Sequence, residues 1–193
     1  LALIMGYGVS VIGGVASEQD YATRVIYANV GADLSVWLFS PTNISVLMEK
    51  IGNLPSVSSL TPEYRFTGTT SLGSIQLRAI DPVKWPSTAY YEDGWFIGSN
   101  VQTAFQSLAT DNNTIILDHA TADSLNLGIG DTIYVNFNEM TFNLKIVGIF
   151  GPAPSQAVTG ISAFVFTQRY WSYGSEGLYS QVSARVSSSA RIL

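Results

Sequence analysis

The chain has 193 residues, 47% of them hydrophobic and only 12% charged, so it is long and apolar enough to bury a core, and this excludes intrinsic disorder. Its net charge of −5 and its lack of a basic cluster exclude nucleic acid as a partner and disfavour an anionic bilayer surface. The absence of cysteine excludes disulfides, thiolate metal sites and cysteine nucleophiles.

The amino-terminal segment, residues 1–16, is apolar or small throughout and precedes the first charge at Glu18. A complete transmembrane helix needs roughly 17 to 25 such residues, so the segment is slightly short of one. It fits the outer end of a membrane helix, a buried strand or helix of a soluble domain, or the core of a signal peptide. The sequence leaves these three interpretations open.

Apolar residues at alternating or helical spacing predict short strands and helices along the rest of the chain. The strands are expected at residues 32–39, 55–66, 74–80, 114–117, 132–137, 140–150, 161–166 and 180–186. The helices are expected at residues 41–51, 101–108, 119–125 and 168–171, with Ser40, Ser99 and Asp118 as caps. Strands interleaved with short helices, without a regular βαβ rhythm, predict an α+β fold.

Two of the connections between these elements are predicted to be turns that join neighbouring strands. A turn at residues 67–73 is expected to join two of the strands, and Asn138 and Glu139 are expected to join the strands 132–137 and 140–150 into a hairpin. Residues 85–96 are aromatic and rich in turn formers, without clear periodicity, which predicts a loop with room for one helical turn.

Residues 113–151, with the sequence NTIILDHATADSLNLGIGDTIYVNFNEMTFNLKIVGIFG, contain a strand, a short helix, a Gly-Asp turn and a hairpin that ends in Val-Gly-Ile. This stretch resembles the periplasmic-core region of MacB-like and FtsX-like ABC permeases. The matching residues are Ala122, Leu125, Gly130, Asp131, Val147, Gly148 and Ile149. Gly130 is expected to adopt a backbone conformation that other residues avoid, and Asp131 to close the turn by bonding nearby amides.

The resemblance also implies how the domain is organised. The family combines a porter-like mixed α/β part with an inserted β-rich part called Sabre. On that pattern, residues 18–72 and 156–193 build the porter-like part, and residues 73–155 build the insertion. Residues 1–17 are then the end of a transmembrane helix or an apolar amino-terminal segment.

The function that the resemblance implies is not catalytic. The domain would lie on the extracytoplasmic side of the cell membrane in an export permease for antimicrobial peptides, macrolides or lipoproteins. It would bind a substrate or partner and couple mechanically to a separate ATPase. The implied partners are its own transmembrane helices, a cytoplasmic ABC ATPase subunit, a second copy as a homodimer, and an exported peptide or lipid-like substrate. A membrane-anchored surface binding or adhesion module is the alternative.

Enzymatic activity is not expected. Asp118 and His119 are adjacent, but no nucleophile-elbow context accompanies them, so helix capping by Asp118 explains the pair better. The neighbouring acids Glu92 and Asp93 lack a visible second set of ligands and are predicted to be solvated loop charges. We therefore predict no catalytic residues, no metal site and no cofactor, and a secreted hydrolase is the weakest alternative.

The aromatic segment is the one place where the sequence suggests a contact surface. Trp85, Tyr90, Tyr91 and Trp95 are predicted to contact a peptide or lipid-bearing substrate, because aromatic rings offer large apolar areas with a polar edge. The alternative is that they pack under the loop as a satellite core. Asn43 and Asn112 each begin a tripeptide that fits the N-glycosylation pattern.

Overall fold

The computed structural model describes residues 17–27, 30–38, 44–137, 139–151, 163–166 and 179–187. The helices are α1 (residues 17–27), α2 (Ile44–Gly52), α3 (Trp85–Thr88), α4 (Val101–Thr110) and α5 (His119–Leu125), with a 3-10 turn at Asp93–Trp95. The strands are β1 (Leu34–Leu38), β2 (Val57–Thr70), β3 (Gly73–Ile80), β4 (Phe96–Ile97), β5 (Thr114–Asp118), β6 (Thr132–Phe137), β7 (Met140–Phe150), β8 (Ala163–Phe166) and β9 (Tyr179–Val186).

The described strands form one mixed sheet of nine strands. Its main path has the order β1-β9-β2-β3-β8-β5-β7-β4, and β6 pairs with β7 and briefly with β2. The β3–β8 and β5–β7 pairs are parallel, and the other pairs are antiparallel. A mixed sheet with short helices confirms the predicted α+β class.

The β2–β3 hairpin is tighter than predicted. β2 continues to Thr70, which pairs with Gly73, so the turn shrinks to residues 71–72. Gly73 has a φ of +116°, a conformation that side-chain-bearing residues rarely adopt. The sequence placed Gly68 in the turn, but Gly68 lies inside β2, where its missing side chain makes room for Val135 and Leu77. The wider predicted turn is therefore wrong.

Within the described residues, the hydrophobic core has three parts. The largest lies between β2, β3 and the β6–β7 hairpin and includes Leu77 and Leu144. A second, aromatic part packs α3 and α4 against β5 and β7 around Phe150. In the third, α2 covers β9 through Ile44 and Ile51, its two buried residues.

The two-part division of the chain stays a prediction. The boundary at residues 72–73 falls in the β2–β3 hairpin, whose strands pair continuously from Glu63 to Thr70. Strand β8, which the prediction assigns to the porter-like part, pairs with β3 and β5 of the predicted insertion. The sheet therefore carries strands of both predicted parts.

Several predictions concern helices and their ends. The sequence did not predict α1, which covers residues 17–27. The cap of α4 is Asn100, whose side-chain oxygen accepts a hydrogen bond from the amide of Gln102 at 2.8 Å, so the prediction of Ser99 as the cap is wrong by one residue. Asp118 caps α5 as expected.

Several predictions fall on residues that the structure does not describe. These are residues 1–16, Ser40, Asn43 and the predicted helix at residues 168–171. None of the helices in the described ranges is long and apolar enough to span a bilayer.

Candidate interaction site

One face of the strands β1, β9, β2 and β3 is polar although much of it is buried. The register places the side chains of this face in three rows that run across the strands. The first row is Ser35, Ser183 and Thr61, the second is Trp37, Gln181 and Glu63, and the third is Arg65 and Arg78. Thr61, Glu63, Gln181, Ser183 and Arg78 are all buried. Buried polar groups are costly unless they are hydrogen-bonded, so their contacts indicate what this face does.

Glu63 is the centre of this face and accepts hydrogen bonds from two arginines. Arg78 Nε donates to Glu63 Oε1 at 2.7 Å, and Arg78 Nη2 donates to Oε2, which makes the pair bidentate. Arg65 Nε donates to Glu63 Oε1 at 2.8 Å. The pair joins the neighbouring strands β2 and β3 and is stronger than a neutral hydrogen bond.

The two arginines keep the buried carboxylate ionised. Burial would raise the pKa of Glu63, but the charges and hydrogen bonds of Arg78 and Arg65 outweigh burial and hold that pKa below its usual value. Burial, followed by repulsion from Arg78, lowers the pKa of Arg65. Two guanidinium groups and one carboxylate leave this cluster with one positive charge.

The Glu63 cluster contacts a partly exposed aromatic side chain, Trp37. The Cζ atom of Arg65 lies 4.3 Å from the centre of the Trp37 ring, which is within the range of a cation–π contact. Trp37 lies on β1, at one end of the strand order, and 39% of its surface is exposed. The ion pairs of Glu63 therefore hold β2 and β3 together, and the Arg65 guanidinium group lies beside the exposed indole ring of Trp37.

A second group of contacts fastens α1 to the loop that follows α3. Arg24 Nε donates to Glu92 Oε1 at 2.8 Å, and Arg24 Nη2 donates to Oε2. The rings of Tyr27 and Tyr90 are stacked with centres 5.4 Å apart. The amide of Tyr90 donates to the carbonyl of Gly31 at 2.8 Å, and the Tyr90 hydroxyl donates to Glu92 Oε1 at 2.8 Å. We call these five residues the helix–loop joint.

The joint changes the interpretation of Glu92. The hydrogen bond from Arg24 outweighs partial burial and holds the pKa of Glu92 below its usual value. Burial, together with the hydrogen bond to Glu92, raises the pKa of Tyr90. The prediction of a solvated loop charge is therefore wrong for Glu92, because no local sequence pattern shows that α1 approaches this loop.

The first and last described strands are tied together beside the joint. Asp33 Oδ2 accepts a hydrogen bond from the amide of Val186 at 3.0 Å. The carbonyl of Val30 accepts from Ser35 Oγ at 2.6 Å and from Gln181 Nε2 at 3.3 Å. The segment that leaves α1 and the end of β9 are therefore held at one place.

The predicted aromatic contact residues fall into two pairs. Trp85 and Trp95 are only 1% and 4% exposed, and both belong to the aromatic part of the core. Trp85 stacks on Phe105 and Tyr91, with ring centres 5.3 and 5.8 Å apart. Because the two indoles are core side chains in this structure, they are poor candidates for contact with a substrate. Tyr90 and Tyr91, which are half-buried, remain as the predicted contact residues.

Gly130 and Asp131 lie in the turn before β6. Gly130 has a φ of +99°, and its amide donates to the carbonyl of Ile146 at 2.8 Å. Asp131 Oδ2 accepts a hydrogen bond from the amide of Gly128 at 2.7 Å, which closes the turn. These contacts close the turn, which is the structural role that the sequence predicts for both residues.

The remaining candidates do not converge on a reaction centre. Asp118 Oδ1 accepts from the amide of Thr121 at 3.0 Å, while His119 Nε2 lies 3.5 Å from Asp123 Oδ2 on the next turn of α5. Asn112 is exposed in the turn between α4 and β5. Within the described ranges, no three side chains of the metal-binding types lie close enough together to hold an ion.

Sequence reasoning missed the Glu63 cluster and the helix–loop joint. The available signal was the presence of Glu63, Arg65 and Arg78 inside predicted strands of a chain with few charges. Charged residues on a face that the sheet buries are almost always paired, so opposite charges in neighbouring strands suggest an ion pair. No comparable local signal links Arg24 to Glu92.

Comparison with known proteins gives a family and a fold. A model of the MacB-like periplasmic core domain matches residues 1–192. The extracellular domain of the noncanonic ABC-type transporter YknZ from Gram-positive bacteria has a TM-score of 0.52 and 12% identity, over 80% of this chain and 84% of that one. A domain of a provisionally assigned permease from Porphyromonas gingivalis has a TM-score of 0.46 and 12% identity over 72% of this chain, which spans 60% of that domain. No curated protein sequence matches significantly.

Proposed function

Because the chain belongs to the MacB-like periplasmic core domain family, we propose that it works as the extracytoplasmic part of an export permease and passes movement between its membrane helices and a bound substrate or partner. The family match over residues 1–192 is the observation that carries this proposal. A separate cytoplasmic ABC ATPase drives the movement, and the domain itself performs no covalent chemistry. Its substrate is an exported peptide or lipid-like molecule.

The helix–loop joint supports a mechanical role. α1 follows the amino-terminal segment, so a membrane helix that precedes it would move α1 first. Arg24 and Tyr27 connect α1 to Glu92 and Tyr90, and Tyr90 is followed closely by Trp95, which is buried in the core. A displacement of α1 therefore reaches the core through a short series of contacts.

The tie between Asp33 and Val186 supports the same role. It holds the segment after α1 against the end of β9, where the chain leaves the sheet. Membrane helices on both sides of the domain would thus act on one place in the fold. Two connections that move together transmit a rotation or tilt of the domain as a rigid unit.

The test is a charge reversal in the full-length permease reconstituted with its ATPase. We expect Arg24→Glu and Glu92→Arg each to lower ATP hydrolysis by the complex and the double swap to recover it, because the swap restores the ion pair. Glu18→Lys is the matched control, since Glu18 is exposed on the same helix and takes part in none of the ion pairs of the described residues.

The melting temperature of each variant separates coupling from folding. The pair is only partly exposed, with 43% of the Arg24 and 25% of the Glu92 side chain accessible, and each single reversal places like charges together. We therefore expect both single variants to melt below the unchanged domain, and hydrolysis is compared at a temperature where every variant is folded. Wild-type hydrolysis in both single variants would contradict the coupling role. Failure of any ATPase subunit to associate with the full-length protein would instead favour the anchored binding or adhesion module.

A further inference from the structure

A concave groove lies between the end of α2, the beginning of β2 and α3. Its volume is about 410 Å³, which is within the range of roughly 300–1,000 Å³ for small-molecule sites. We call it the α2–α3 groove. We call the apolar side chains of its lining, which are Met48, Val57 and Leu60, the floor. The other lining residues are Gly52, Ser58, Ser59, Lys84, Ser87 and Thr88.

The apolar surface continues beyond the floor onto both edges. Leu54 is 51% exposed, and its carbonyl accepts a hydrogen bond from the amide of Val57, which places it next to the floor. Val83 is 75% exposed and directly precedes Lys84. Two large exposed aliphatic side chains beside an apolar groove favour an apolar ligand.

The hydroxyl groups of the groove are largely used within the protein. Ser58 Oγ donates to the carbonyl of Arg185 at 3.0 Å, Ser87 Oγ donates to the carbonyl of Lys84 at 2.9 Å, and Thr88 Oγ1 donates to Ser59 Oγ at 3.0 Å. A peptide would bring many backbone donors and acceptors that need partners. The groove therefore fits a ligand with a long apolar body better than it fits a peptide.

Among the described residues that line the groove, Lys84 is the one with a charged side chain. Its amide and carbonyl are held by Asp81 and Ser87, so the backbone position of the side chain is fixed. Of the ion pairs formed in the described part of the chain, none includes Lys84. An ammonium group beside an apolar floor complements an anionic head group on an apolar tail.

We propose that the α2–α3 groove binds a single-chain amphipathic anion of the fatty-acid type. The tail lies on Met48, Val57 and Leu60, and the carboxylate pairs with Lys84. A fatty-acid-type anion belongs to the lipid-like class that the proposed function names as substrate. Binding is measured on this domain alone, so a failure to bind would leave the transport role standing.

The test uses dodecanoate below its micelle concentration and the full chain of 193 residues, followed by calorimetric titration and by NMR of the groove residues. We expect saturable binding that shifts the signals of Val57 and Leu60. Lys84→Glu should weaken binding by about tenfold or more, the loss expected for one charge-assisted contact. Met48→Gln should also weaken it, because it places a polar group on the floor.

Lys50→Glu is the matched control, because Lys50 is exposed on α2 and does not line the groove. It should leave the affinity unchanged, and circular dichroism should show that all variants fold. Dodecyltrimethylammonium, with the same tail and a positive head, should bind more weakly than dodecanoate. The proposal is overturned by no saturable binding, by equal affinity for the two amphiphiles, or by Lys84→Glu without effect.

A membrane surface is the other source of such head groups. Vesicles of anionic phospholipid test it in the same variants. Binding to vesicles that depends on Lys84, without binding of dodecanoate monomers, would overturn the proposal in favour of a membrane contact.

Discussion

Glu63 and Arg78 form a doubly hydrogen-bonded ion pair across the β2–β3 hairpin, in the interior of the domain. They are diagonal neighbours in the ladder, because Glu63 lies opposite Ile80 and Arg78 lies opposite Arg65. Both side chains are almost completely removed from solvent. The stability lost on removing one partner depends on whether the other stays buried as a charge without its main partner.

Replacing Arg78 by Met should destabilise the domain strongly. The variant leaves Glu63 buried with only Arg65 as a partner, and breaking a buried pair in this way typically costs about 3–5 kcal/mol. Urea denaturation measures the loss. Arg185→Met is the control on an exposed arginine of β9, with an expected change within about 0.5 kcal/mol. Equal losses in both variants would show that burial of the pair is unimportant.

Acid should weaken the fold through the same carboxylate. The folded-state pKa of Glu63 is below that of a glutamate in the unfolded chain, which is about 4.3. The stability that the ionised group contributes is present above that pH and is lost as the pH falls through the folded-state pKa. Glu92 acts in the same direction, whereas Asp118, whose pKa is raised by burial, acts in the opposite one.

The measurement is the free energy of unfolding in urea between about pH 6 and pH 3, a window chosen to span the unfolded glutamate pKa. We expect it to fall toward acid, with a shallower slope in Glu63→Gln. If that variant does not fold, Glu92→Gln should still remove a smaller share of the slope. A free energy independent of pH in this range would contradict the lowered pKa values.

Gly68→Ala should destabilise the junction of β2 and β6. A Cβ atom at this position would lie 2.8 Å from Val135 Cγ1, 2.9 Å from Leu77 Cδ1 and 3.2 Å from the carbonyl oxygen of Asn136. Overpacking of this kind costs about 1–3 kcal/mol. Gly94→Ala is the control, because its Cβ meets no heavy atom within 4 Å. Similar melting temperatures for both variants would contradict this prediction.

Trp85→Ala should lower the free energy of unfolding by about 3–5 kcal/mol, the usual cost of removing a buried indole. Trp85 is completely enclosed by the aromatic core, so the effect is on packing. Val83→Ala, at an exposed position two residues earlier, is the control and should change little. A Trp85→Ala variant that melts normally would return this side chain to the group of contact candidates.

The elements that the sequence predicted well depend on local patterns. The β6–β7 hairpin follows from alternating apolar residues on both sides of a short turn, and its pairs run from Phe137 and Met140 to Thr132 and Lys145. Asp118 caps α5 because the acceptor and the amide it binds are three residues apart. In both cases neighbouring residues contain the whole interaction.

The features that the sequence did not predict depend on distant partners. β2 pairs with both β3 and β9, so an alternating pattern alone does not show that its second face is buried and polar around Glu63. Arg24 and Glu92 are 68 residues apart, and the groove at Lys84 exists only because α2 and α3 approach the same strand. Periodicity reports burial along one element and carries no information about which elements meet.

The position of β9 has a consequence for how the chain folds. β9 lies between β1 and β2, and the contact of Asp33 with Val186 spans 153 residues. The early strands cannot complete their ladders until this late strand arrives, and closing so long a loop is entropically unfavourable. We therefore expect slow folding with a late rate-limiting step, in which β1 and β2 expose unpaired edges while the β6–β7 hairpin is already formed.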